Sequence, residues 1–148
     1  MSIMVTTNGY ISVNSVDLSD HATAIALDAA IETREATCMG TGGARVFRTG
    51  LQNPTVTASF RNDHASGSVE STLRALVSTN STGVPLVVQK VTGSATNPTS
   101  TNNPKYTFSA VVIDGDLNVL NETVGEIPEI SVKFVPYSGS FTVSTTAT

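Results

Sequence analysis

Charge is scarce in this chain of 148 residues. Charged side chains make up 14 % of it, well below the roughly 25 % of an ordinary soluble domain, and Ser, Thr, Asn and Gly fill the difference. Only 8 of the residues are Lys or Arg, against 12 Asp or Glu, for a formal net charge of −4. A protein that grips nucleic acid needs clustered cations to neutralise phosphates, and the few present here are scattered, so that class is excluded. The single cysteine, Cys38, rules out an intramolecular disulfide framework and a zinc ribbon, and fits a chain made in a reducing cytoplasm. Tryptophan is absent and there are three tyrosines, too few for the aromatic platforms that bind sugars in carbohydrate-binding modules. No stretch of about 18 apolar residues occurs, and "MSIMVTTNGY" lacks the basic and apolar regions of a signal peptide, so neither membrane spanning nor secretion is expected.

Catalytic vocabulary is equally thin. No G-x-S-x-G elbow is present, and the glycines of "GTGGARVFRTG" lack the order and the closing Lys of a phosphate-cradling loop. The pairs Asp20-His21 and Asp63-His64 are the one constellation with metal-ligand chemistry, but nothing in their spacing brings them together. No enzyme activity, cofactor or metal is expected.

What the chain has in quantity is alternation. In "ATAIALDAAIETR", Thr23, Ile25, Leu27, Ala29 and Ile31 share one face, which is expected to be core. The small and acidic residues Ala22, Ala24, Ala26, Asp28, Ala30 and Glu32 share the other. In "NPTVTASFRN", Val56, Ala58 and Phe60 alternate with Thr55, Thr57, Ser59 and Arg61. These two strands are expected to pair as a long antiparallel hairpin whose connection, residues 34–50, is long and glycine-rich.

Further strands are expected in "GYISVNSVDL", "VPLVVQKV", "PKYTFSAVVID" and around Ile130, Val132 and Phe134, with "GSFTVST" as an edge strand or arm over 138–148. One helix is expected in "SGSVESTLRALVS", where Val69, Leu73, Leu76 and Val77 form an apolar stripe behind the candidate caps Ser66 and Ser68. The polar segment "TGSATNPTSTNNP" is read as a solvent loop. The sum is a single, mainly β domain over 1–148, an antiparallel β-sandwich or rolled barrel with one flanking α-helix.

In order, "VDLSDH", "ATCMG", a Gly/Arg loop closing on "GL", "VTASFRND", "GSVESTLRAL", "NPKYTFSAVV" and "VGEIPEISVKF" resemble the tail tube (major tail) proteins of long-tailed bacteriophages. The resemblance is closest to those of actinobacterial phages and runs over about residues 9 to 136. It implies a non-enzymatic virion protein made in the host cytoplasm, whose hexameric rings stack into the hollow tube through which the genome leaves. Its implied partners are further copies of itself, the tape measure, tail terminator and tail tip proteins, and DNA in transit without specific binding. It also implies that the 34–50 connection is an inter-subunit loop, with Arg34, Arg45 and Arg48 available to carboxylates on a neighbour and Gly40, Gly42 and Gly43 giving conformational freedom.

If six subunits each give four strands to one closed barrel, about 24 strands spaced ~4.8 Å apart and tilted ~45° have a backbone radius of roughly 26 Å. Allowing about 6 Å for side chains leaves a bore of about 40 Å, which clears a duplex roughly 20 Å wide by about one Debye length. An acidic or neutral wall lets DNA slide, and the face carrying Ala26, Asp28, Ala30 and Glu32 suits that lumen wall. A capsid decoration or head-tail joining protein is the alternative with the same composition.

Overall fold

The computed structural model describes residues 9–78, 83–91, 99–112, 123–137 and 142–146. Among them eight strands form one sheet: β1 (Tyr10–Val13), β2 (Val16–Asp17), β3 (Ala22–Glu35), β4 (Phe47–Arg61), β5 (Val84–Gln89), β6 (Lys105–Val112), β7 (Glu129–Pro136) and β8 (Thr142–Ser144). All pairings are antiparallel, in the order β2-β1-β5-β6-β7-β4-β3. One edge of β6 is shared: residues 105–107 pair β8 and residues 110–112 pair β7. The mainly β, antiparallel architecture with one helix is the one expected from the alternation.

Alternate residues of the central strands point into a single core. Ile11 and Val13, Leu86 and Val88, Phe108 and Ala110, Ile130, Val132 and Phe134, and Val56, Ala58 and Phe60 are all buried. Helix α1 (Val69–Ser78) connects β4 to β5 and closes this core with Val69, Leu73 and Leu76. The side chain of Val77 lies outside the described residues. Of the two candidate caps, Ser68 stands directly before the helix, its carbonyl accepting from the Thr72 amide at 3.1 Å, but its hydroxyl donates to the Asp63 carboxylate at 2.9 Å, and the Glu70 amide donates to the Asp63 carbonyl at 3.1 Å. The aspartate before the turn thus organises the helix start.

Three local departures from the expected pattern have clear causes. "GYISVNSVDL" is a hairpin, because Asn14 and Ser15 take positive φ of 51° and 65° and turn β1 back into β2. Thr23 is exposed, because the β3–β4 register shifts between Ala22 and Ala24; Ala22 and Ile25 pack on the core and the extra residue is extruded. The polar segment before β6 falls partly outside the described residues, yet its end is no solvent loop. Asn103 is buried, its amide group donating to the Val91 carbonyl at 3.0 Å and accepting from the Val91 amide at 3.2 Å. A side-chain amide here exchanges the pair of bonds that a neighbouring strand would supply.

Gly83 marks a close approach. A Cβ there would overlap the Ser109 hydroxyl and sit 2.6 Å from Tyr137 Cβ, where the Tyr137 amide donates to the Ser109 carbonyl at 2.8 Å. Gly83→Ala is expected to destabilise the fold by about 1–3 kcal/mol through overpacking, read as a lower urea midpoint at unchanged m-value.

Candidate assembly surface

The β3–β4 ladder outruns the rest of the sheet. From Phe60 to Val56, β4 is flanked by β3 on one side and β7 on the other. From Thr55 to Phe47 its ladder is with β3 alone, paired with Asp28 to Glu35. The result is a two-stranded ribbon that continues past the body for about 23 Å, taking ~3.3 Å per residue. The expected core face of β3 shows the transition: Ile25 and Leu27 are half-buried against the core, whereas Ala29 and Ile31 are exposed, although Pro54, the ladder partner of Ala29, is fully buried.

This shortens the connection expected at 34–50. Arg34 and Arg48 are ladder partners within the ribbon, and the loop proper spans 36–46. The Ala36 amide donates to the Val46 carbonyl at 2.8 Å. The Val46 amide donates to the Thr37 hydroxyl at 3.0 Å, and that hydroxyl donates to Glu35 at 2.9 Å. A 3-10 turn, Met39–Thr41, ends at Gly42 and Gly43, whose φ of 65° and 83° favour glycine. Gly40 has neither a positive φ nor a near neighbour. The close approach occurs instead at Gly50, where a Cβ would lie 3.1 Å from Glu32 Cβ, beside a second register shift between Ile31 and Thr33.

The ribbon is two-faced. Ala26, Asp28, Ala30 and Glu32 share the face turned away from the core, all exposed, with Glu32 accepting from Arg34 at 2.9 Å. Ile31 and Phe47 lie on the opposite face, which continues the core stripe, and are 51 % and 57 % exposed. Leu51, at the register shift, is 76 % exposed. Arg45 lies in the loop, and among the described residues no ion pair involves Arg45 or Arg48.

At the other end of the ladder the structure joins residues whose spacing did not suggest contact. Pairing of Ala22 with Phe60 sets His21 beside Asp63. The imidazole is held between Asp20 at 2.7 Å on Nδ1 and Asp63 at 3.2 Å on Nε2. His64 stays outside this group, its Nε2 3.2 Å from the Asn62 side chain. The carboxylates flank the ring from opposite sides, and among the described residues no three His, Cys, Asp or Glu converge to hold a metal ion. The bond to Asp20 is the main cause raising the His21 pKa above its ordinary 6.5, with Asp63 adding and partial burial opposing. Asp63 is lowered from its ordinary value first by the Ala65 amide, then by the Ser68 hydroxyl and by His21.

No protein-family model matches the sequence, and no curated protein does. The fold, however, matches solved structures over nearly the whole chain. A chain from the virion of a native gene transfer agent particle superposes with a TM-score of 0.71 at 10 % identity, covering 97 % of this chain and 100 % of that one. A chain from an extracellular contractile injection system, solved as its sheath/tube terminator in the extended state, gives 0.67 at 11 % identity, covering 98 % and 99 %. A chain from the tail of an empty gene transfer agent particle, refined helically with C6 symmetry, gives 0.64 at 9 % identity, covering 93 % and 95 %.

Because the native pKa of His21 lies above its unfolded value, its contribution to stability is full below about pH 6.5 and is lost as pH rises through the native pKa. The expected outcome is a melting temperature that declines on passing from slightly acid to alkaline pH. Asp20→Asn lowers the His21 titration midpoint by NMR and flattens that decline.

Proposed function

We propose that the chain is a non-enzymatic structural subunit of a phage-type tail tube, forming hexameric rings that stack into a hollow conduit for DNA in the virion. The fold match, over 93 % of this chain, to a chain of a helically refined tail with C6 symmetry carries this reading. The ribbon fits it: a two-stranded hairpin is marginal alone in water, and one with large apolar residues exposed is completed by docking on a neighbour. In this reading the tube belongs to a long-tailed phage of the actinobacterial type. Its subunits meet the tape measure, terminator and tip proteins, and residues 34–50 with Arg34, Arg45 and Arg48 reach a neighbouring copy. Asp28 and Glu32, with Ala26 and Ala30, line the bore. From Ala26 to Glu32 that face is small and acidic; the ladder partners Arg34 and Arg48 follow it toward the tip, with Arg34 paired to Glu32 at 2.9 Å.

A second reading has its own support. The fold also matches the sheath/tube terminator at 0.67 and, at 0.65, a chain from an anti-feeding prophage cap that terminates the tube. A terminator-type subunit forms a ring that ends a tube and does not stack on itself.

Electron microscopy in negative stain across a concentration series, with light scattering on the same samples, separates the two. Open tubes or stacked sixfold rings with a central hole of about 40 Å support the tube. Lone closed rings at every concentration support the terminator, and a stable trimer removes both readings. Deleting Gly40 to Gly43 is expected to weaken assembly while leaving the melting temperature of the free subunit nearly unchanged; full polymerisation of that variant removes the loop from the contact.

A further inference from the structure

Both ring nitrogens of His21 face carboxylate oxygens, Nδ1 toward Asp20 at 2.7 Å and Nε2 toward Asp63 at 3.2 Å. An ionised carboxylate only accepts hydrogen bonds, and a neutral imidazole has one N–H to give. The two bonds therefore coexist only while His21 is an imidazolium. The carboxylates belong to different pieces of chain: Asp20 precedes His21 in the turn between β2 and β3, whereas Asp63 opens the connection from β4 to α1.

Asp63 receives three local hydrogen bonds. The Ala65 amide and the Ser68 hydroxyl each donate to its carboxylate at 2.9 Å, and the Glu70 amide donates to its carbonyl at 3.1 Å. Among the described residues, His21 is its one hydrogen-bond partner from elsewhere in the sequence. The β2–β3 turn is fixed independently: Leu18 is buried and its amide donates to the Ile11 carbonyl at 3.1 Å, while the Ile11 amide donates to the Ser19 hydroxyl at 3.0 Å. Charged groups on the adjoining elements have their own partners. Asp17 of β2 accepts from the Ser19 amide at 2.9 Å, and Glu70 of α1 lies 3.4 Å from Arg74. Arg61, whose amide donates to the His21 carbonyl at 2.8 Å, has its guanidinium 3.6 Å from Glu129 of β7, and His64 lies 3.2 Å from the Asn62 side chain.

From this we infer that His21 is a proton-operated latch between the β2–β3 turn and the start of α1. Loss of the proton takes one N–H from the ring, and the shorter bond, to the adjacent Asp20, is the one retained. Nε2 then presents a lone pair to the Asp63 carboxylate, and attraction becomes repulsion. The entry turn of α1 keeps its three local bonds but loses this tie, so residues 62–70 loosen while the sheet stays closed. The direction follows from a native His21 pKa above the ordinary 6.5: the latch is closed in slightly acid solution and opens as pH rises through the native pKa. It is a property of one chain, whatever that chain assembles into.

Hydrogen exchange read by mass spectrometry tests it on the full chain, from about pH 5.5 to about pH 8.5. Rates are corrected for the intrinsic pH dependence of exchange, at a concentration where light scattering shows one oligomeric state throughout. Protection of residues 62–70 is expected to fall about three- to tenfold across the series, with β7 unchanged. The midpoint is expected to coincide with the His21 titration followed by NMR. His21→Gln is expected to show the weaker protection at every pH, and Asp20→Asn to move the midpoint to lower pH.

Protection of 62–70 that stays flat across the series overturns the latch. So does a fall that persists in His21→Gln, a midpoint that Asp20→Asn leaves in place, or an equal fall in β7, which marks global loosening. Melting temperatures verify that the variants fold; the Asp20 side chain is 77 % exposed, so that variant decides the matter even where His21→Gln does not fold.

Discussion

The register of the β3–β4 ladder is the constraint on which everything else depends. Twelve Cα pairs, from Ala22 with Phe60 to Glu35 with Phe47, fix this hairpin, and two register shifts interrupt it. Near its base the ladder is the outer part of a packed sheet, with Val56, Ala58 and Phe60 in the core. Toward its tip the same ladder has no third strand among the described residues. Because side chains alternate with a period of two, a one-residue change of register would exchange the acidic face for the apolar one along the whole ribbon. The same register also sets the position of His21 against Asp63, at the far end. Surface chemistry at both ends of the molecule therefore follows from one set of backbone hydrogen bonds.

The body and the ribbon divide the labour of stability. Core residues from five strands and the helix hold the body together, and α1 returns the chain from the β4 end of the sheet to β5. Polar side chains complete this arrangement where strands end: Asp63 organises the turn into α1, and Asn103 satisfies Val91 in place of a neighbouring strand. The ribbon has less support. Pro54, at its base, is fully buried; beyond it, among the described residues, its own ladder and a few surface contacts, such as Arg34 with Glu32 and Thr37 with Glu35, hold it, and exposed ion pairs of that kind contribute about 0–1 kcal/mol.

Much of the body was legible in the sequence because half-buried strands write their burial as alternation. Val56, Ala58 and Phe60, and Ile130, Val132 and Phe134, are apolar at every second position for that reason alone. The ribbon was harder to read, since nothing forces alternation on Arg48, Gly50 or Leu51; residues 34–50 therefore looked like loop throughout, where both ends, 34–35 and 47–50, are strand. Thr23 misled because a bulge shifts the phase without leaving a compositional mark. Asn103 looked like a solvent residue because its type says nothing of the backbone it replaces. The cluster of Asp20, His21 and Asp63 depends on pairing across 42 positions, which no local pattern encodes. Where Asp28 and Glu32 lie on one face was readable from spacing; what that face looks onto is a property of an assembly and not of one chain.

The thin support of the ribbon carries a kinetic consequence. A segment with few buried contacts opens locally at a small fraction of the cost of global unfolding. In the proposed assembly, a free subunit would thus spend part of its time with the ribbon tip unformed, and two such subunits would both have to order their contact surfaces at the moment they meet. An arriving subunit that meets an already ordered neighbour has half of that entropy to lose. In the proposed assembly, growth on an existing end would then be favoured over spontaneous pairing of free subunits.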